Sequence, residues 1–218
     1  MSDNDAEPAS LGLRERKKLM TRQAILDVAE EMFAERGFDN VTVAEIADAV
    51  NISAKTVFVY FPAKEDLVFD GESEMRDLIL ASIRDRAANE TPLDAMGAFL
   101  HGQITAAGPG AVTGLDRLRR TVGESTVLNA RLRLMWEHFE LAIADLLAEE
   151  TGQPATAPEP RVAAAQLILV FRLLASEEVL THLRSRPKSR RRGAMVNWLD
   201  ESLRLVGTGL ADYAPRAE

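Results

Sequence analysis

The chain has 218 residues, 46% of them hydrophobic and 28% charged, enough to bury a sizeable core in one large domain or in two smaller ones. It has no cysteine, which excludes disulfides, thiolate metal sites and a cysteine nucleophile, and its formal net charge of −8 argues against a protein that coats nucleic acid indiscriminately. The polar, acidic opening residues argue against an export signal, and no run approaches the roughly 18 apolar residues of a membrane span, so a cytoplasmic location is expected.

Residues 1–13 have no apolar periodicity and contain Pro8 and Gly12, which predicts a flexible arm. A local basic patch follows: RERKKLMTR, residues 14–22, carries five cations against one acid. Ile25, Val28, Ala29, Met32 and Phe33 then recur at helical spacing, and Gly37 suits the C-terminal end of that first helix. Thr42 with Glu45 three residues later is a capping box, which opens a second, short helix through Ile46, Ala47 and Val50. Asn51 is the non-glycine residue that best tolerates a left-handed turn. Ser53 caps a third helix of about two turns that Pro62 ends, because the residue before proline is pushed out of the helical region. The β-branched and aromatic content of this segment would also suit a strand, so the helical reading rests on its caps.

Beyond Lys64 the pattern is helical throughout. Helices are expected near 64–88, 92–107, 116–124, 126–150, 161–184 and 188–207, with Gly- and Pro-rich connectors at 106–114 and 151–160. Leu128, Leu132, Met135, Phe139, Ala142 and Leu146 form one long apolar face. Residues 162–174, VAAAQLILVFRLL, are apolar nearly all round, and Met195, Val196, Trp198, Leu199, Leu203 and Val206 form a further apolar face. The fold class is therefore all-α: residues 14–64 form a three-helix unit, and residues 65–218 a larger helical domain.

A short helix, a tight turn and a second short helix, preceded by an amphipathic helix, is the layout of a DNA-binding helix-turn-helix. Ile46, Ala47, Val57 and Phe61 are spaced to form its small core, with Ala47 small enough for the two helices to approach. Lys55, Thr56, Val59 and Tyr60 are left on the outer side, within reach of phosphates or base edges. Phe58 is read as core, since large aromatics usually bury; Tyr60 needs a wet or paired end for its hydroxyl. Arg14, Lys17 and Lys18 are read as contacts to the DNA backbone, against the alternative of a solvated helix start.

Residues 41–67, VTVAEIADAVNISAKTVFVYFPAKEDL, resemble the N-terminal signature of the TetR (tetracycline repressor) family, and ERGFDNVTV, residues 35–43, resembles that family's join between its first two helices. The resemblance covers residues 14–67; later residues match only in being helical and of suitable length. It implies that Thr42 and Lys64 touch phosphates, that Ser53, Ala54, Lys55, Thr56 and Tyr60 belong to the DNA-facing set, and that the later helices bind a small-molecule effector and form a homodimer through the last two long helices. It implies in turn a regulator, commonly a repressor, of a pseudo-palindromic operator in double-stranded DNA. The chain departs from the usual pattern at Asn51 and Lys55, where glycine is common, and at Phe58, usually tyrosine.

An effector pocket is sought among the helices between 66 and 150, at His101, Gln103, Trp136, His138 and Phe139, polar groups standing among apolar ones. The three histidines lack the spacing of a helical metal pair, and there is no glycine-rich nucleotide loop and no Gly-x-Ser-x-Gly elbow, so no metal, cofactor or enzymatic activity is expected. The alternative is a helical enzyme or ligand carrier whose helix-turn-helix is merely structural, and a third reading is a regulator that senses a partner protein. The basic run SRPKSRRR, residues 185–192, is read as a solvated loop.

Overall fold

The computed structural model describes residues 12–123 and 125–210, and the chain divides into two compact units after Val68. Among the described residues every regular element is helical.

The first unit holds α1 (Leu13–Arg36), a 3-10 turn (Phe38–Asn40), α2 (Val43–Ala49), α3 (Ala54–Tyr60) and a second 3-10 turn (Lys64–Leu67). Ile25, Ala29 and Phe33 come four residues apart on α1, so they stack on one face, and they are buried with Phe38, Val41, Ile46, Ala47, Val57, Phe61 and Leu67. Residues 13–20 are exposed on every side, so the first two turns of α1 stand clear of this core. Gly37 ends the helix at φ 79°, its N–H bonded to the Phe33 carbonyl at 2.9 Å. The second 3-10 turn belongs with this unit because Leu67 is buried, which carries the division four residues beyond the expected boundary at 64.

The second unit comprises α4 (Glu72–Arg84), α5 (Pro92–Ala107), a 3-10 turn (Gly108–Gly110), α6 (Ala111–Val122), α7 (Thr126–Thr151), α8 (Pro158–Leu174), α9 (Glu177–Arg184) and α10 (Lys188–Leu210). α7 and α8 form its central antiparallel pair. Trp136 meets Phe171 edge-on at 5.2 Å and Phe139 at 5.9 Å. The expected face of α7 is buried apart from half-covered Ala142, and Trp136, Ile143 and Leu147 are buried as well, because α4 packs on α7 in addition to α8. Gly97 lets α5 approach α10: a Cβ there would stand 2.9 Å from Leu203 Cδ1.

Three expected helices have other limits. The one placed at 64–88 is interrupted, since Gly71 takes a left-handed conformation (φ 86°, ψ 0°) and α4 starts only after it. The one placed at 116–124 begins earlier, at Ala111, because Gly108 alone (φ 54°) reverses the chain and Ala111 and Val112 are buried. The one placed at 161–184 is two helices: the break falls at Ala175 and Ser176, and the Ser176 hydroxyl accepts the Val179 N–H to cap α9.

One buried charge ties α4 to the far end of α7. Arg86, 6% exposed, donates to both carboxylate oxygens of Glu150 at 3.1 and 2.9 Å, to the Ile83 carbonyl at 2.6 Å and to the Glu90 carbonyl at 3.1 Å. A fork bonded this way satisfies most of the guanidinium's donors, without which its burial would be strongly unfavourable.

Candidate nucleic-acid interface

α2 is started by Thr42, whose hydroxyl oxygen accepts the Glu45 N–H at 3.2 Å while Glu45 Oε2 accepts the Thr42 N–H at 2.8 Å. Glu45 also accepts the Thr42 hydroxyl at 2.7 Å and Arg36 Nη2 at 2.6 Å. These bonds, the Thr42 hydroxyl first and Arg36 next, hold the Glu45 carboxyl down at about 2. A depressed folded-state pKa stabilises above the ordinary carboxylate value of 4.5, and that contribution is lost as the pH falls towards 2. The Glu45 carboxyl carbon should therefore titrate by NMR with a midpoint near 2, and Glu45→Gln should flatten the acid limb of the first unit's stability between those values; a midpoint near 4.5 would overturn the assignment.

The turn that follows is left-handed at Asn51 (φ 55°), with the Asn51 N–H on the Asp48 carbonyl at 3.1 Å and the Ile52 N–H on the Ala47 carbonyl at 3.0 Å. Two satisfied α2 carbonyls close the helix, and the chain leaves at a sharp angle. Ser53 then caps α3, accepting the Thr56 N–H at 3.1 Å, and its hydroxyl lies 2.8 Å from that of Thr56. Ile46, Ala47, Val57 and Phe61 are each no more than 2% exposed, so the two short helices share one core as expected.

With Val57 and Phe61 facing inward, helical geometry puts Lys55 and Val59 on the opposite side and Phe58 and Tyr60 on the two flanks. Lys55 is exposed, Val59 is 73% exposed, and Thr56 and Tyr60 are half-buried. Phe58 is 47% exposed and is not core: a helix of two turns buries one narrow stripe, and position 58 lies about 100° from Val57. It joins the outward face, which hydrophobicity alone could not reveal.

The other expected contacts divide. Arg14, Lys17 and Lys18 are exposed on the projecting turns of α1, and Ala54 is half-buried at the head of α3. Thr42 and Ser53 are exposed but engaged as caps. Lys64 is turned inward: its ammonium donates to the Phe38 carbonyl at 2.6 Å and sits 4.0 Å from the Phe38 ring centroid, and burial lowers its pKa. That ammonium ties the second 3-10 turn to the first.

The five residues sought as an effector pocket are not brought together. Trp136 and Phe139 pack in the aromatic cluster, Gln103 is exposed on α5, and His138 is exposed with Nδ1 3.8 Å from Glu72. His101 alone opens on a hollow, of about 480 Å³, between α5 and α10, where its Nε2 lies 2.8 Å from Asp200.

Two short helices on one core, joined by a left-handed turn, with the second presenting a cation, hydroxyls and apolar groups outward, define a helix-turn-helix of the DNA-binding class. Residues 25–70 match the sequence model of the bacterial regulatory proteins of the tetR family. The transcriptional regulator TcmR of Streptomyces glaucescens is 30% identical over 150 residues, covering 66% of each chain, and the repressor KstR2 of Rhodococcus jostii is 27% identical over 128 residues, 53% of this chain and 61% of that one. The chain belongs to the tetR family. Its aligned part spans about two thirds of these relatives' lengths. GusR of Salmonella enterica (TM-score 0.55, 18% identity, 88% of this chain and 96% of that one) and FadR of Bacillus subtilis, solved with stearoyl-CoA (0.55, 15%, 86% and 98%), share the fold. Among the described residues no helix is long and apolar enough to cross a membrane.

Proposed function

We propose that the protein is a one-component transcriptional regulator: a homodimer that binds a pseudo-palindromic operator in double-stranded DNA through α3 and is released by a small-molecule effector held in its second unit. The observation that carries this reading is the outward face of α3, where Lys55, Thr56, Val59 and Tyr60, flanked by Phe58, stand opposite the buried Val57 and Phe61. Such a face combines a donor for phosphate or guanine with apolar groups for thymine methyls. Ser53 and Ala54 at the head of α3 and Arg14, Lys17 and Lys18 on α1 extend the contact. The Thr42 hydroxyl reaches phosphate only by releasing Glu45, while Lys64 spends one of its three N–H donors on the Phe38 carbonyl.

Dimerisation is supported by α8 and α10, which pack on each other yet leave Val162 (53%), Leu173 (41%) and Leu205 (61%) exposed, more apolar surface than a solvated helix pair needs. An effector that binds one state of the dimer better than the other shifts DNA affinity by that difference and no more. Transcription that falls when the protein occupies its operator and recovers when the effector releases it makes the protein a repressor.

Selection of bound duplexes from a random pool, with the mass of the complex measured alongside, tests the reading. A pseudo-palindrome bound by two copies is expected. Sequence-indifferent binding alone would overturn it and favour a helical ligand-binding protein whose helix-turn-helix is structural.

A further inference from the structure

The basic run 185–192 is not a loop. Residues 185–187 make a tight turn, and Lys188 already belongs to α10, so Lys188, Arg190, Arg191 and Arg192 ride on its first turns with no acid beside them. α6 packs against both α9 and α10 and adds Arg117, Arg119 and Arg120 to the same corner. Two acids there are already engaged, Asp116 by Arg120 and by Arg184 at 2.7 Å and Glu177 by Arg184, and Glu178 is held by its own backbone N–H and by Ser176 at the cap of α9. Arg186, Lys188, Arg190, Arg191 and Arg192 meet no carboxylate among the described residues. Arg191 bonds the carbonyls of Arg184 and Arg186, Arg192 reaches Thr105 Oγ1 at 3.4 Å, and Arg186 lies 3.5 Å from His182. In a chain of net charge −8 this concentration of cations repels itself, and it stands at the end of a helix whose dipole disfavours positive charge. Five neighbouring cations without a carboxylate partner cost stability locally, and such a cost marks a surface shaped by a partner.

Resting on the DNA-binding reading, we propose that the α6–α9–α10 corner is a second DNA contact, one that grips the phosphate backbone without reading sequence. The chemistry favours that partner over others. Eight of the nine cations on residues 117–120 and 184–192 are arginines, suited to bidentate bonds with phosphate oxygens. No large apolar side chain is exposed on α6, α9 or the first two turns of α10, so the corner lacks the apolar anchors of a protein interface and the insertion surface a membrane needs. The corner also lies at the end of the second unit where the chain enters it. α7 and α8 run antiparallel, so the start of α7 and the end of α8 share one end, and Arg131 near the start of α7 pairs with Glu72, the first residue of α4.

The test is the salt dependence of binding to a random-sequence duplex. Arg186→Gln/Lys188→Gln/Arg190→Gln removes three exposed cations that hold no element together. Each lost phosphate contact flattens the slope of log K against log salt by about 0.9, so the triple variant should lose about 2 to 3 from the slope for each subunit on the DNA and bind at least about 100-fold more weakly near 0.1 M salt. The same change is expected in a Lys55→Ala/Tyr60→Ala background, while the sequence selected by the intact α3 stays the same. An unaltered slope in the folded triple variant would overturn the proposal, as would an equal flattening by Arg76→Gln/Arg133→Gln/Arg161→Gln, which would reduce the effect to net charge. If no sequence is selected by the parent protein, the regulator reading fails, and the slope on random DNA still decides this one.

Discussion

Replacing Glu150 with alanine should destabilise the second unit by about 3 kcal/mol, as expected when a buried charge, here Arg86, loses its partly exposed partner and remains. Arg86 cannot turn to water, because its guanidinium is fixed by the Ile83 and Glu90 carbonyls as well as by Glu150, and its side chain is 4% exposed. The loss comes from a stranded charge and not from the attraction of the pair. Exchanging both partners, Arg86→Met/Glu150→Leu, should accordingly cost less than Glu150→Ala alone, by about 1 to 2 kcal/mol. Recovery stays incomplete because the Ile83 carbonyl loses its donor, worth about 1 kcal/mol. Urea unfolding of the full chain, followed by far-UV circular dichroism, reads both values. A loss below about 1 kcal/mol for the single change would place the pair among ordinary surface ion pairs.

Where side chains punctuate the backbone, the fold is legible from residue order. Thr42 with Glu45, and Ser53, each start a helix by accepting or returning a backbone N–H, and the structure starts α2 and α3 at those places. Asn51 and Gly37 take the positive φ their turns require. The breaks at Gly71 and Ser176 are less visible. Helical periodicity runs through FDGESEM, residues 69–75, and the single glycine there is compatible with a helix until its left-handed conformation is seen. Residues 161–184 contain no glycine or proline at all, and the sole hint is a serine followed by two glutamates, a weak N-terminal signal inside an apolar run.

The candidate site was legible to the same depth. Its core follows from spacing, since Ile46, Ala47, Val57 and Phe61 need only two helices and one turn to meet. Lys64 does not, because its partner is a carbonyl 26 residues earlier and no local pattern carries that pairing. The five residues sought for the effector lie apart for a related reason: which face of α5 or α7 a histidine or tryptophan occupies is decided by the helices packed around it. Trp136 is held by Phe171 of α8, and His101 by Asp200 of α10.

Lys55→Ala combined with Tyr60→Phe should lower operator affinity by at least about 100-fold, each lost contact being worth about 1 to 3 kcal/mol. In a symmetric dimer every substitution is read at both half-sites, so the double change removes four contacts from one complex. Neither change threatens the fold: Lys55 is exposed on the side of α3 opposite Val57, and Tyr60→Phe retains the ring on its half-buried flank. The two residues should also separate by mechanism. If Lys55 holds a phosphate, its loss weakens operator and random DNA alike and flattens the salt slope by about 1 per half-site; if it reads a guanine, the slope changes less and base preference relaxes at one position of each half-site. Tyr60, with a neutral hydroxyl, should leave the slope intact in either case. Fluorescence anisotropy against the selected duplex and a scrambled one, at several salt concentrations, distinguishes these outcomes. Affinity within about threefold of the parent for both substitutions would remove the outward face of α3 from the interface.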